Sequence, residues 1–238
     1  MFDIFETLLS KTLFILALSL SFCYFGAQAV LAYFRKLKNS GSPYVTAVYN
    51  EKGQEDLIVD PSFVAQPFWI SIILNIVFFI ILLICKNIPV LNALAMLGFV
   101  FTDGITIGLL LITRDENLGI QVTQLTTLAV FLCSMIGMYS GVDFSFLGKF
   151  LFIALIVLIL SSIVRIFVQI CGMARKIWAS IGIAIFCGYL LYDFNRLASL
   201  GEIAAANTWN TALSFALNIY LDIINLFLQI LDLLSNSN

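Results

Sequence analysis

Seven long apolar segments, separated by short polar joints, limit most strongly what this sequence can fold into. They cover roughly residues 12–34, 65–85, 89–112, 120–141, 146–170, 177–198 and 208–234. An α-helix needs about 20 apolar residues to cross the hydrocarbon core of a bilayer. The backbone amides of each segment need internal partners there, and the alternating ten-residue segments of a β-barrel are absent from the sequence. The sequence predicts an all-α integral membrane protein, a single seven-transmembrane helix bundle over residues 1–238.

The composition excludes several functions. Hydrophobic residues make up 61% of the 238 residues and charged residues 11%, whereas about a quarter of a soluble domain is charged. The absence of histidine excludes zinc proteases of the HExxH type and Ser-His or Cys-His catalysis. A net charge of −2 offers no basic face for nucleic acid. We therefore expect neither an enzyme nor a nucleic-acid-binding protein, and no resident cofactor.

The five cysteines and the amino-terminal segment are read as parts of the membrane domain. The cysteines lie in or beside apolar segments without metal-ligand spacing, so they are expected to be reduced and buried. Asp3 and Glu6 outweigh Lys11 where a signal peptide is basic, so the first segment is expected to be retained. The long polar segment 35–64 is predicted to be a surface loop with a short hairpin around residues 50–53.

A stripe of polar residues follows one side of the last apolar segment. Its members are Asn207, Thr211, Ser214, Asn218, Asp222, Asn225, Gln229 and Asp232. Steps of three and four residues place all eight within an arc of about 80° on a helix. The stripe could hold helices together, at about 0.5 to 2 kcal/mol per contact. An acid near mid-membrane favours the other interpretation, a central last helix whose stripe faces inward and lines a water-filled path.

Two acids are expected to meet in the hairpin of the sixth and seventh segments. Asp193 and Asp222 are about equally far from Asn207 in the sequence. They therefore lie at the same depth in the membrane if the connection between the two helices is centred on Asn207. They miss by about 10 Å along the axis if the turn lies at Gly201. In the alternative interpretation, Asp193 is a helix-end acid paired with Arg196.

Close carboxylates would have two chemical uses. A low dielectric penalises ionising both, so the pair is expected to share one proton and titrate as a coupled unit. When deprotonated, the same oxygens are ligands of the kind Ca²⁺ prefers, with help from Asn218, Asn225 and Gln229. Asp103, a third intramembrane acid, has small and polar neighbours and is expected to face protein or water as part of the cation pathway.

Four motifs, and the order in which they follow one another along the chain, resemble those of the transmembrane Bax inhibitor motif family. They are Asn218–Leu231, Gly188–Asp193, Gly104–Gly108 and Asp143–Gly148, where Asp143 is predicted to cap the fifth helix. The resemblance covers about residues 65–234. It implies a seven-helix fold with the last helix central, and a pH-dependent calcium leak governed by two aspartates that match Asp193 and Asp222.

The resemblance also implies a role for Lys86 and an orientation. Lys86 matches a basic residue at the inner end of the second helix that latches onto the acid pair, a position where family members commonly carry Arg. The family's amino terminus lies inside, whereas the count of Lys and Arg in the loops of this chain places it outside. We follow the family. The resemblance is to a bacterial-type member in the plasma membrane, with an internal membrane such as the ER as the alternative.

The sequence thus predicts a pH-sensitive Ca²⁺ leak channel whose partners are the bilayer, Ca²⁺ and H⁺. A proton-coupled exchanger would use the same acids, but no inverted halves are evident. A non-catalytic regulator of stress or cell death would need none of the acids. An intramembrane aspartyl protease is disfavoured because Asp222 follows Ile219-Tyr220-Leu221 where the protease has Gly-x-Gly.

Overall fold

The computed structural model describes residues 5–49, 55–85, 88–114, 116–167 and 172–235. Its helices are α1 (Leu8–Asn39), α2 (Pro61–Ile84), α3 (Pro89–Arg114), α4 (Glu116–Tyr139), α5 (Leu147–Phe167), α6 (Gly172–Gly201) and α7 (Trp209–Ser235). A short 3₁₀ turn, Ala204–Ala206, lies between α6 and α7. Strands β1 (Val45–Tyr49) and β2 (Glu55–Val59) lie between α1 and α2.

Every predicted apolar segment is a helix, which confirms the all-α membrane class. Six of the helices are long and apolar enough to cross a bilayer. Within the part of α5 whose side chains are described, the apolar helix Leu147–Ser162 is shorter. That all seven span the membrane as one bundle with α7 at its centre stays a prediction.

The chain forms two compact units. One is Phe14–Gly119, and the other combines Met1–Leu13 with Ile120–Asn238. We call them the hairpin unit and the acid unit. The first contains the β-hairpin, and the second contains both Asp193 and Asp222.

The hairpin unit has its hydrophobic core beneath the β-hairpin. The strands pair antiparallel from Val45 opposite Val59 to Tyr49 opposite Glu55, which confirms the predicted hairpin; its turn lies outside the described residues. One face of the hairpin packs on α1, α2 and α3 through a cluster that includes Val30, Leu31, Phe34, Val45, Leu57, Val59, Val64, Leu109 and Ile112. The long polar loop is therefore anchored to the helices by alternate strand residues.

Glycines bring α1 and α3 into backbone contact. A Cβ on Gly104 would overlap the backbone of Cys23, and one on Gly26 would overlap the Phe101 carbonyl oxygen. One turn beyond Gly104, a Cβ on Gly108 would lie 2.9 Å from the Ala27 carbonyl oxygen. Small residues at this spacing let membrane helices approach closely. The structure thus gives the Gly104–Gly108 motif a packing role.

Four hydroxyl and amide side chains connect α2 to α3. Asn75 Nδ2 donates to Thr106 Oγ1 at 3.1 Å, and Thr102 Oγ1 donates to Asn75 Oδ1 at 2.9 Å. The Thr106 hydroxyl also donates to Ser71 Oγ at 3.0 Å. Each of these four side chains has a partner, so the cluster holds the two helices together.

In the acid unit, Asn195 of α6 fixes the connection from α4 to α5. Its Nδ2 donates to the carbonyl oxygens of Gly137 at 3.1 Å and Val142 at 2.9 Å, and its Oδ1 accepts from the Phe144 amide at 3.1 Å. Asp143 Oδ1 accepts from the Ser145 amide at 2.8 Å. Asp143 therefore caps the turn before α5, four residues ahead of Leu147, instead of the helix itself as predicted.

The amino-terminal residues of the acid unit pack against the start of α7. Lys11 Nζ donates to the side-chain and backbone oxygens of Asn207 at 2.9 and 3.2 Å. The same Nζ lies 5.7 Å from the Trp209 ring centroid, and the Phe5 ring lies 5.5 Å from that ring. The connection between α6 and α7 is thus held by the opposite end of the sequence.

Candidate functional site

Helices α6 and α7 face each other along positions that are spaced seven residues apart on each helix. Arg196 Cζ lies 5.5 Å from the centre of the Phe215 ring. Fourteen residues earlier on α6 and fourteen later on α7, a Cβ on Gly182 would overlap the side chain of Gln229. Because both contacts fit one antiparallel register, the midpoint of the interface pairs Tyr189 with Asp222.

This register sets the relative depth of the two acids. Asp193 is four residues beyond Tyr189, so its Cα lies about 6 Å, or one helical turn, from the level of Asp222. In an α-helix each side chain leans toward the amino terminus of its helix. In this antiparallel pair both carboxylates therefore lean toward each other, and they lie within electrostatic range. Equal depth of the two acids was predicted only for a connection between α6 and α7 that is centred on Asn207. In the structure α6 ends at Gly201, and the two acids are offset along the helix axis by about one turn, which is less than the roughly 10 Å expected for that case.

Both carboxylates are withdrawn from the surface. Asp193 is 5% exposed and Asp222 is 8% exposed. Asp222 Oδ2 is buried and has no hydrogen-bond partner among the described residues. Leaving a buried charged oxygen unpaired costs several kcal/mol unless a proton or a cation is supplied. A bound proton or cation would remove this cost.

Two further residues act on the pair. Arg196 lies one turn beyond Asp193 on α6, within electrostatic range of its carboxylate; the pairing of the two as a helix-end acid and its base stays an alternative prediction. Tyr189 is half-buried and within electrostatic range of both acids. Tyr189 carries no signal of its own in the sequence, although Gly182, Tyr189 and Arg196 stand seven residues apart and mark one face of α6.

The polar stripe of α7 is not its buried face, since Ser214 and Asn218 are both exposed. That the stripe faces inward and lines a water-filled path stays a prediction. The buried residues of α7 are almost all apolar and lie on the other faces of the helix. Asp222 is buried because it stands at the edge of the 80° arc nearest α6, beside the positions of Phe215 and Gln229.

The remaining predicted pathway residues of α7 have separate surroundings. Asn225 donates to the Leu221 carbonyl oxygen of its own helix at 2.8 Å, while Gln229 packs on Gly182. At the far end of the stripe, Asp232 accepts from Arg175 at the start of α6, with Nη2 at 2.7 Å and Nε at 3.0 Å. Of the predicted pathway residues on α7, Gln229 is the one brought against α6.

The other two predicted site residues belong to the hairpin unit. Lys86 lies outside the described residues, so its role as a latch stays a prediction. Asp103 is half-buried on α3, between Thr102 and Gly104. Its share in a common cation pathway also stays a prediction.

As a cation site, the acid pair is sparse. Within the part of the chain that the structure describes, no group of three or more acidic, cysteine or histidine side chains could hold a metal ion. Two carboxylates supply up to four oxygens, whereas Ca²⁺ takes six to eight ligands. Water would have to complete the coordination, which suits a passing ion better than a permanently held one.

The fold and the buried acids together define a polytopic α-helical membrane protein with ionisable groups buried between its last two helices, α6 and α7. The family model described as "Inhibitor of apoptosis-promoting Bax1" matches residues 6–238. The chain belongs to this Bax inhibitor family, as its motifs predicted.

Relatives of the chain occur in a virus, a plant and a bacterium. The "Golgi anti-apoptotic protein" of vaccinia virus (strain Lister) is 36% identical over 151 residues, which are 62% of this chain and 60% of that protein. "Protein LIFEGUARD 1" of Arabidopsis thaliana is 29% identical over 63% of each chain. An uncharacterized protein of Campylobacter jejuni is 31% identical over 72% of this chain and 73% of its own length. The match thus spans about three fifths of the viral relative's length.

Proposed function

We propose that the protein is a pH-sensitive pathway for Ca²⁺ across a membrane, controlled by Asp193 and Asp222. The observation that carries the proposal is the buried, unpartnered Oδ2 of Asp222 beside a second buried carboxylate. Such an oxygen accepts either a proton or a cation, so the two ions compete for one site. Competition of this kind makes cation passage depend on pH.

The exposed part of the α7 stripe supports the same proposal. Amide and hydroxyl side chains at membrane depth are costly against lipid and are expected to meet water or protein. Ser214 and Asn218 lie on the exposed side of the helix, next to the buried Asp222. A cation moving along a water-filled path on this side would reach the acid pair from Asn218.

Ca²⁺ flux into liposomes tests the proposal. Wild-type protein should pass Ca²⁺ down its gradient at a rate that changes between about pH 5 and pH 8. Asp193→Asn leaves one acid without its repelling neighbour, so the pH dependence should flatten. Asp222→Asn should flatten it too and also reduce the flux, because that position supplies a ligand on the polar stripe. Asn has nearly the volume of Asp, so the fold should be retained.

Glu202→Gln is the matched control. Glu202 is an exposed acid in the connection between α6 and α7, so the substitution removes the same charge at a position outside the acid pair. Its flux and pH profile should equal those of the wild type. If both Asp variants also keep the wild-type flux at every pH, the pair is structural and the proposal is wrong.

A second candidate function is regulation of cell death without ion transport. The family description and the name of the viral relative both refer to apoptosis. A regulator that acts through protein contacts would protect cells equally well with Asp222→Asn, whereas a Ca²⁺ pathway would lose protection and flux together. Cell survival measured beside flux in the same variants separates the two.

The proposed location is a bacterial plasma membrane, supported by the Campylobacter relative. The viral relative is named for the Golgi, so an internal membrane is the alternative. Fractionation of the membranes of the native host, with antibody detection of the chain, tests this assignment.

A further inference from the structure

Helices α4 and α6 touch through their backbones near Gly137. A Cβ on Gly137 would lie 2.8 Å from the Leu191 carbonyl oxygen and 3.0 Å from Phe194 Cβ, closer than side-chain atoms ordinarily pack. Asn195 Nδ2 donates to the Gly137 carbonyl oxygen at 3.1 Å and ties the two helices together there. Side chains one turn away from this contact, on the facing sides of the two helices, are therefore held close.

One turn before the contact, each helix carries a cysteine. Cys133 is four residues before Gly137 on α4, and Cys187 is four residues before Leu191 on α6. The two thiols lie near enough to act on each other electrostatically, and equal spacing from the Gly137 contact places both one turn before it if the helices run in the same direction. Both cysteines are free.

We propose that Cys133 and Cys187 are a redox-active thiol pair, which a peroxide converts into a disulfide between α4 and α6. The peroxide first oxidises one thiol to a sulfenic acid and leaves as water. The sulfur of the second thiol then attacks the sulfenic sulfur, the S–S bond forms, and a second water leaves with the remaining proton. The peroxide takes up two electrons, and the two thiols lose two hydrogen atoms.

Exposure assigns the two roles. Cys187 is half-buried, whereas Cys133 is buried at 8% exposure. Cys187 is therefore the thiol that a small neutral peroxide reaches first, and Cys133 is the resolving thiol. A disulfide requires Cα atoms about 4.4 to 6.8 Å apart, a separation that helices in backbone contact one turn away can reach.

The crosslink would act on the acid pair through α6. Cys187 is two residues before Tyr189 and six before Asp193 on the same helix. A disulfide to α4 would fix this turn of α6, so that a movement of Asp193 relative to Asp222 is restricted. This part of the inference rests on the proposed function, and we expect oxidation to lower the Ca²⁺ flux several-fold.

Peptide mass spectrometry tests the thiol pair without any measurement of flux. The purified protein in lipid is treated with hydrogen peroxide or with dithiothreitol, and remaining thiols are then blocked. We expect the peptides of Cys133 and Cys187 to be linked, with the loss of two hydrogen atoms, and the link to be reversed by dithiothreitol. In Cys133→Ala, Cys187 should stop at the sulfenic acid, which a dimedone probe captures.

Two outcomes would overturn the thiol pair. One is peroxide treatment that leaves both thiols unmodified, and the other is a link from either cysteine to a different cysteine. Cys85→Ala, at the end of α2, is the matched control and should form the same link as the wild type.

Flux in the same samples tests the coupling separately. Peroxide should lower the wild-type flux, and dithiothreitol should restore it, while Cys187→Ala keeps its flux and its pH response in peroxide. If the disulfide forms and the flux is unchanged, the coupling to α6 is wrong but the thiol pair stands. If Asp222→Asn has already shown no effect on flux, the proposed function fails independently of the disulfide.

Discussion

Two polar side chains, Asn75 of the hairpin unit and Asp222 of the acid unit, differ in how their hydrogen bonds are satisfied, although Asn92 Oδ1 in the hairpin unit is also buried without a partner among the described residues. In the hairpin unit, Asn75 has hydrogen-bond partners at both ends of its amide, on Thr102 and Thr106. In the acid unit, Asp222 is more deeply buried than the half-buried Asn75, yet one of its oxygens has no partner among the described residues. A satisfied polar group joins helices, whereas an unsatisfied acid stores free energy that a proton or cation can release. Asp222 is therefore the better candidate for function.

Among the variants that compare the two units, the largest loss of stability is expected from a change in the packing of the hairpin unit. Gly104→Ala adds a methyl group where the Cys23 backbone already stands, so the contact between α1 and α3 must open. We expect a loss of about 3 kcal/mol or more in the free energy of unfolding. Thermal unfolding in detergent measures it. Gly201→Ala, where a Cβ meets nothing within 4 Å, should leave the melting temperature unchanged; equal effects of the two variants would contradict the close contact.

The next effect compares the two polar groups directly. Asn75→Leu removes the partners of Thr102 and Thr106 and should cost about 1 to 2 kcal/mol. Asp222→Asn removes a buried charge without losing a hydrogen bond at Oδ2, so the melting temperature should stay the same or rise. Thermal unfolding of both variants decides the matter. A large fall in melting temperature for Asp222→Asn would show that the acid is structural.

A smaller effect is expected at the ion pair of Arg175 and Asp232. The pair is partly exposed, with 34% and 16% of the side chains accessible, so solvent screens it. Arg175→Gln should cost about 1 kcal/mol or less. The exchanged pair, Arg175→Asp with Asp232→Arg, should recover that stability. If the exchanged protein unfolds at a lower temperature than Arg175→Gln, the two side chains contribute through other contacts.

The smallest effect is a change of stability with pH at Asp143. Hydrogen bonds from the amide and hydroxyl of Ser145 lower the pKa of the Asp143 carboxyl from its ordinary value of 3.8. A lowered pKa in the folded state means that the stabilisation is present above about pH 4 and is lost as the pH falls through the folded value. In Asp143→Asn, melting temperatures between about pH 2 and pH 5 should change slightly less with pH than in the wild type. An unchanged slope would show that the cap has no energetic role.

Sequence reasoning located the helices because apolar length is read directly from the residues. It also located the β-hairpin, since polar residues between β1 and β2 interrupt two short runs of β-formers. The register of α6 against α7 was left open because it depends on how the chain returns through Glu202–Thr208. The 3₁₀ turn at Ala204–Ala206 shortens that return, and three alanines do not predict it.

The residues of the candidate site were predicted unevenly for a related reason. Asp193 and Asp222 stood out because acids are rare in apolar segments. Tyr189 did not, since a tyrosine in a membrane helix is unremarkable until the facing residue is known. The exposure of Asn218 was missed because the stripe was treated as one surface, whereas only its edge at Asp222 turns toward α6.

The contact between Lys11 and Asn207 also determines the order in which the protein can be completed. The two residues are 196 positions apart in the sequence. During synthesis the hairpin unit has all its residues once Gly119 has emerged, so its helices can pack early. The acid unit cannot be complete until α7 has been synthesised, because Lys11 has no Asn207 to contact before then. The acid pair is thus among the last parts of the protein whose residues are available, because Asp222 is made after Asn207.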